Sequence, residues 1–251
     1  MWLWYLLIFI FGTIIGSFLN VLIIRYNTGK SLAGRSGCLA CGRQLTALDL
    51  VPILSYLSLK GRCRECQSHI SLQYPIVEVL TGLLFVLTVW RFFPNFNLIA
   101  FYWLIMALVV IIGAYDWRHQ IIPTGPMYIL IALSLIWAVA NGGAYLLAGL
   151  GSFAFFAFLW AVSGGRWMGF GDAKLGLALG WLLGPVATLS ALALAFWSGA
   201  LVGIGLMVAS RLKRLWWGSK LITIKSELPF APFMILGLLM VLFFSWHVIP
   251  F

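Results

Sequence analysis

The chain has 251 residues, of which 63% are hydrophobic and 9% are charged, whereas about a quarter of the residues in an ordinary soluble domain are charged. This composition excludes a soluble globular domain and indicates a membrane protein. The net charge of +10 is explained by membrane topology and by attraction to anionic lipid headgroups, so it does not indicate nucleic-acid binding.

Apolar runs with few or no charges predict membrane-spanning helices along the chain, because about 20 apolar residues cross a hydrocarbon core of roughly 30 Å. The predicted spans are 1–24, 75–90, 92–115, two within 119–165, two within 175–210, and 228–251, of which 75–90 is shorter and is interrupted by Glu78. The paired spans separate at Asn141-Gly142-Gly143 and at Gly184-Pro185, and the span before Gly184 is unusually short. We therefore expect an all-α polytopic membrane protein with about eight transmembrane helices.

Basic residues indicate the orientation of these spans, since cytoplasmic loops collect Lys and Arg. With the N-terminus outside, 15 of the 16 basic residues fall on the cytoplasmic side and only Arg91 falls outside. The sequence thus predicts a first transmembrane helix at 1–24, a polar cytoplasmic insert at 25–74 and a membrane-embedded core at 75–251.

All four cysteines lie in the insert, as two C-x-x-C pairs formed by Cys38, Cys41, Cys63 and Cys66. The stretches CLACGRQLT and CRECQSHIS share one pattern, which indicates a duplicated knuckle. Two such pairs place four thiolates around one zinc ion, and the reducing cytoplasm disfavours disulfides. Four thiolates leave no open coordination position, so we expect a structural zinc that holds the insert together.

Two of the six acidic residues are candidate catalytic groups. Asp116 lies in GAYDWRHQIIP, at the cytoplasmic end of the third predicted span, and Asp172 lies in RWMGFGDAKLG, where the sixth begins. Both ends face the same side, so the carboxylates can meet, and ionisable groups at such sites are functional candidates. Two carboxylates in a low-dielectric site share one proton, which suits activation of water and protonation of a leaving amine.

Three neighbours of Asp172 are candidate substrate-binding residues. Gly169 and Gly171 would let a substrate backbone approach closely, and Lys174 would meet a substrate carbonyl. Further along the same helix Gly176, Gly180 and Gly184 form a smooth face for close packing, which would hold Asp172 in register.

Structural roles for the same residues stay open at this point. Asp172 is also a suitable helix N-cap, and Asp116 a suitable partner for Arg118. Lys174 is also typical of a lysine that snorkels to the interface. Glu78 either anchors the second span at the interface or belongs to a second active centre.

These motifs together resemble the type IV prepilin peptidases, which are membrane aspartyl proteases. The resemblance rests on GSFLNVLIIRY, the two cysteine knuckles, LVPILSYLSLKGRCREC, YPIVE, YDWRHQIIP, GFGDAKLG and ELPFAPF, in this order. In that family the Asp of D-x-x-x-x-x-I-P and the Asp of G-x-G-D are the catalytic pair, and they correspond here to Asp116 and Asp172.

The resemblance implies an enzyme of the bacterial inner membrane that cleaves a short basic leader from prepilins or pseudopilins on the cytoplasmic side. Many members also methylate the new N-terminus with S-adenosylmethionine. No glycine-rich nucleotide signature accompanies this second activity in the sequence, so it depends on the resemblance alone.

Three other interpretations of the sequence are possible. A presenilin-like protease also uses a membrane Asp followed by G-x-G-D, but the cysteine insert and the motif order argue against it. A proton-coupled transporter would use the two aspartates as a proton relay. A membrane scaffold would use the zinc insert to bind a partner.

Overall fold

The computed structural model describes residues 2–29, 31, 34–217 and 229–246, without the side chains of 210–217. The described chain is helical and contains no strand, which agrees with the predicted all-α class. The helices are α1 (Trp2–Arg25), α2 (Leu54–Ser58), α3 (Gln73–Phe92), α4 (Phe96–His119), α5 (Thr124–Asn141), α6 (Gly143–Ser163), α7 (Phe170–Leu183), α8 (Pro185–Trp217) and α9 (Ala231–Phe244). A short 3₁₀ turn, Ala47–Leu50, precedes α2.

Among the described residues, six helices are long and apolar enough to cross a membrane: α1, α3, α4, α5, α6 and the apolar part of α8. The protein is thus a multi-pass membrane protein, as predicted. The expected count of eight spans is not confirmed, because α7 and α9 have only 14 residues each. A 14-residue helix is about 21 Å long, which is shorter than the hydrocarbon core. The rest of the predicted final span, 247–251, lies outside the described residues.

The helix breaks fall where the sequence predicts them. Gly142 separates α5 from α6 with φ +104°, and Gly184 separates α7 from α8 with φ +77°. These backbone angles are accessible to glycine and costly for residues with a Cβ. The break after α4 is different, because a glutamine, Gln120, adopts φ +54° there.

The chain forms two compact units, Met1–Ala114 and Tyr115–Phe251. In the first unit α1 packs closely on α3. A Cβ placed on Gly12 would lie 2.8 Å from the Gly82 Cα, and one on Gly16 would lie 2.8 Å from the Glu78 Cα. Trp103 of α4 donates a hydrogen bond to the Phe85 carbonyl at 3.1 Å.

In the second unit α7 packs on α6 through small residues. A Cβ on Gly180 would lie 2.5 Å from the Gly149 Cα, and one on Gly176 would lie 2.7 Å from the Phe156 ring. The smooth glycine face expected on this helix is therefore the face that meets α6, and it holds the start of α7 in place. In the same unit α8 and α9 pack together at Gly237 and Ala191.

Candidate functional site

Asp116 lies in the last turn of α4 and is almost fully buried, with 5% of its surface exposed. The Gln120 N–H donates to its backbone carbonyl at 2.8 Å and closes the helix. The side-chain Oδ2 is buried and has no hydrogen-bond partner among the described residues, while the Ala231 N–H donates to the carboxyl group. A buried carboxyl oxygen without a protein partner requires an explanation, such as a bound water molecule, an ion or a catalytic role.

Asp172 lies in the first turn of α7 and is 8% exposed. Its Oδ2 accepts a hydrogen bond from the Gly169 N–H at 3.2 Å. The N-cap position belongs to Gly169 rather than to Asp172, so the carboxylate reaches back over the helix start and fixes its own orientation. This contact leaves the other carboxyl oxygen available for chemistry.

The two carboxyl groups line one cavity of about 1090 Å³ in the second unit. They are close enough to interact electrostatically. Apolar side chains such as Met127 and Phe230 form part of the wall, which lowers the local dielectric and strengthens that interaction. Two neighbouring carboxyl groups in such a site do not both ionise easily.

The two glycines beside Asp172 have different surroundings. A Cβ on Gly171 would meet Ile122 at 3.0 Å (Cδ1), 3.1 Å (Cβ) and 3.2 Å (Cγ1). Ile122 follows Asp116 by six residues, so this contact joins the two aspartate motifs. A Cβ on Gly169 would meet nothing closer than the Asp172 Oδ2 at 3.6 Å. Gly171 therefore has a packing reason to be glycine, whereas Gly169 borders the cavity with space beside it.

Lys174 also lines the cavity and is held by two aromatic side chains. Its Nζ donates to the Tyr128 hydroxyl at 3.2 Å and lies 4.9 Å from the Tyr128 ring centroid and 5.6 Å from that of Phe170. Among the described residues it forms no ion pair with either aspartate. The ammonium group is thus kept at the cavity wall by hydrogen bonding and cation–π attraction.

Glu78 belongs to the first unit and is 6% exposed. Its Oε2 accepts a hydrogen bond from the Ile53 N–H at 2.7 Å. Glu227, the remaining acid near a predicted membrane boundary, lies outside the described residues.

The two cysteine pairs form matching knuckles in the backbone. The N–H of Cys38 donates to the Arg43 carbonyl at 2.8 Å, and that of Cys63 donates to the Ser68 carbonyl at 2.9 Å. The residue after each second cysteine has positive φ, +73° at Gly42 and +56° at Gln67. The duplication expected from the flanking sequences is therefore present in the local structure.

The four sulfur atoms lie within 4.8 Å of one another. A tetrahedral zinc with Zn–S bonds of about 2.3 Å requires sulfur separations of about 3.8 Å, and Cys38 and Cys66 are 3.8 Å apart. Backbone N–H groups of Cys41 and Ala40 lower the pKa of Cys38 to about 6, so its thiolate, the form that binds metal, is present at neutral pH. The donor set fits a closed structural zinc site.

Asp49 connects the two knuckles by ionic contacts. Its side chain is 3% exposed and accepts from Arg64 Nε at 3.0 Å, with Arg43 at 3.7 Å. Thr46 donates its hydroxyl and its N–H to the same carboxylate, and the hydroxyl holds the pKa of Asp49 below its usual range. The charged side chain remains ionised and ties the first knuckle to the second.

Roles for Ile122, Tyr128 and Asp49 were not predicted from the sequence. Ile122 was visible as part of the D-x-x-x-x-x-I-P motif, but no pattern indicates that it contacts Gly171. Tyr128 carries no local signal, since its partner is 46 residues away. Two features of the sequence could have indicated the role of Asp49. One is the T-x-x-D pattern of a helix start, and the other is its acidic charge among arginines.

Comparison with known proteins assigns the family. The bacterial peptidase A24 N-terminal domain matches residues 10–92, and the type IV leader peptidase family matches residues 103–204. The chain belongs to the type IV leader peptidase family. It is thus a peptidase, and the resemblance inferred from the motifs is confirmed, which favours an enzyme over a transporter or a scaffold.

Relatives from distant bacteria match most of the chain. A prepilin leader peptidase/N-methyltransferase of Aeromonas salmonicida (strain A449) is 34% identical, covering 82% of this chain and 82% of the relative. The protein of the same name from Bacillus subtilis (strain 168) is 32% identical, covering 98% and 96%. No solved structure matches the chain significantly.

Proposed function

We propose that this peptidase removes the basic leader from type IV prepilins or pseudopilins by aspartyl catalysis, with Asp116 and Asp172 as the catalytic pair. The observation that carries the proposal is that both carboxyl groups are buried on one cavity of the second unit. The names of the relatives support the substrate class.

The ionised aspartate takes a proton from a water molecule as the water oxygen attacks the scissile carbonyl. The protonated aspartate supplies the proton that the leaving amine gains when the C–N bond breaks. One proton thus enters the pair and one leaves it. Gly169, Gly171 and Lys174 are proposed to line the substrate path beside Asp172, with the Lys174 ammonium available to a substrate carbonyl.

The N-methyltransferase half of the relatives' name supports a second proposed activity, methylation of the new N-terminal amine. S-Adenosylmethionine would supply the methyl group. None of the residues described above is assigned to this step.

The insert 25–74 is proposed to be a zinc-stapled domain that positions or recognises the substrate leader, and the core 75–251 to hold the peptidase site. The zinc is proposed as a structural ion bound by the four cysteines.

The proposed chemistry predicts that Asp116→Asn and Asp172→Asn each lower the cleavage rate of a pilin-like precursor by at least about 100-fold, since either change removes one half of the acid–base pair. The assay uses purified protein in lipid, with mass spectrometry of the products, which also reports an added methyl group. Glu65→Gln makes the same acid-to-amide change at an exposed site and is expected to retain activity. Full activity in either aspartate variant would exclude the proposed pair, and proton flux without product peptide would indicate a transporter.

We further propose that the active site faces the cytoplasm, because 15 of the 16 basic residues then lie inside. Single cysteines introduced near residue 168 should react with a membrane-impermeant reagent only in inverted vesicles. Reaction from the periplasmic side of intact cells would show that the active site faces the periplasm instead.

A further inference from the structure

We propose that the insert lies on an anionic bilayer surface through an apolar patch, the insert leucine patch. It consists of Leu48, Leu50, Val51, Leu54 and Leu57, of which Leu48, Leu54 and Leu57 are exposed by 72%, 65% and 64%. These residues belong to the polar segment between two membrane-spanning helices, where a run of exposed aliphatic side chains has no role in the aqueous phase. Such patches mark interaction sites.

The patch has a defined direction. The 3₁₀ turn Ala47–Leu50 contacts α2, which brings its leucines beside Leu54 and Leu57. These two lie one turn apart on a single face of α2. Tyr56 points the other way, because its hydroxyl donates to the Ile70 carbonyl at 3.5 Å and its ring fills the space above Gly61. The interior side of α2 is therefore occupied by Tyr56, and the leucines face outward.

A hydrogen bond to a membrane span fixes how far the patch lies from the membrane. The Ile53 N–H donates to Glu78 Oε2 at 2.7 Å, and Glu78 is the sixth residue of α3, about 8 Å from the start of that helix. Since α3 is long and apolar enough to cross the membrane, Ile53 lies near the end of that span from which the insert leaves. Val51 and Leu54 are within two residues of Ile53 and so within about 7 Å of it.

The backbone conformation at Ile53 is further evidence that this part of the insert is held in one position. Ile53 has φ +62° and ψ −52°, and the Leu54 N–H donates to the Pro52 carbonyl at 2.5 Å, which defines a γ-turn. A β-branched residue is rarely found in this strained conformation. The buried Glu78 carboxylate, at the close contact between α1 and α3, holds the turn against its preference for another conformation.

Charge favours a lipid surface over a peptide with a basic leader. Lys60 and Arg62 are exposed directly after α2, and no ion pair of theirs occurs among the described residues. The two acids of the insert, Asp49 and Glu65, are both paired with arginines. Leucines flanked by free cations are the composition of segments that lie in the interface of anionic membranes.

The experiment places the photoreactive residue p-benzoylphenylalanine at position 54, 57 or 65 of the full chain in nanodiscs that contain anionic lipid, without substrate. We expect lipid adducts at positions 54 and 57. At position 65, where the photoreactive residue replaces an exposed acidic side chain, we expect at least about tenfold fewer. Equal yields at all three positions, or no lipid adducts at 54 and 57, would overturn the proposal. A repeat with a prepilin present tests the other occupant, and adducts that move to the prepilin would assign the patch to the substrate instead.

Variants of Glu78 test whether its hydrogen bond to Ile53 holds the insert leucine patch at the membrane surface. Glu78→Gln keeps an oxygen that accepts the Ile53 N–H and is expected to keep the lipid adducts at position 57. Glu78→Leu removes the acceptor and is expected to reduce them several-fold. Unchanged adducts in Glu78→Leu, with zinc content and helix content intact, would contradict the role given to this carboxylate. Neither measurement depends on peptidase activity.

Discussion

At the scale of single residues, the candidate active site depends on a contact that carries no charge. Gly171 and Ile122 belong to the two different aspartate motifs, and they pack so tightly that a Cβ on Gly171 would require Ile122 to shift by a few tenths of an ångström. The Ile122 Cβ is bonded directly to the backbone and cannot rotate away from an added methyl group. The separation between the two motifs therefore depends on the combined size of this pair.

We predict that Gly171→Ala lowers the turnover of a pilin-like precursor by roughly 5- to 150-fold, because overpacking costs about 1–3 kcal/mol and would move Asp172 away from Asp116. The double variant Gly171→Ala with Ile122→Gly, which removes the Ile122 Cβ as well as the rest of that side chain, is expected to recover a large part of this loss. Gly143→Ala is the control, since an added Cβ there meets nothing within 4 Å. Failure of the double variant to exceed Gly171→Ala alone would show that the loss has another cause.

At the scale of elements, α7 is too short to be a conventional span and carries Asp172 near its start. Its position is determined by the seam with α6, where glycines allow the two backbones to approach. The helix propensity of glycine is poor, so these residues are tolerated because of the packing they permit. The glycines at this contact lower the local stability of α7, and in return they allow the close packing that positions the turn carrying Asp172.

This balance predicts opposite effects for two glycine-to-alanine changes. Gly180→Ala would place a Cβ 2.5 Å from the Gly149 Cα and 2.7 Å from the Ala148 carbonyl oxygen, so we expect a lower thermal unfolding temperature in detergent. Gly151→Ala, on the open face of α6, meets nothing within 4 Å and is expected to be neutral or to stabilise by up to about 1 kcal/mol. Equal shifts in both variants would argue against close packing at the seam.

At the scale of the whole molecule, different forces stabilise the membrane helices and the polar insert. The helices are apolar and satisfy their backbone groups internally. The insert has few buried apolar residues, and Cys63 is the one buried hydrophobic side chain between residues 34 and 72. A segment of this kind needs a metal or another cross-link to remain folded.

We predict that Cys38→Ser, or exhaustive chelation, removes one zinc per chain and makes the insert sensitive to protease, while the helical circular dichroism of the membrane part persists. Elemental analysis and limited proteolysis measure the two effects. Ser58→Ala, an exposed change in the same insert, should keep both zinc and protease resistance. Disulfides in freshly isolated protein, or absence of zinc from it, would contradict the proposed metal site.

Local features of the sequence were sufficient to predict the helical membrane class, the breaks at Gly142 and Gly184, the clustering of the four thiols and the proximity of the two aspartates. These features were predictable because they depend on the composition of a segment and on the spacing of residues within one or two helical turns. The number of complete spans was less predictable, because a charge-free run from 175 to 210 does not specify that α7 ends after 14 residues.

Only the tertiary structure decided which distant residues meet. It brought Gly171 to Ile122, the Lys174 ammonium to Tyr128 and the Ile53 N–H to Glu78. These pairs are separated by 25 to 49 residues along the chain, and many apolar arrangements satisfy the same local pattern. The sequence specifies which side chains leave water, whereas the choice of neighbour depends on shape and hydrogen bonding across the packed helices.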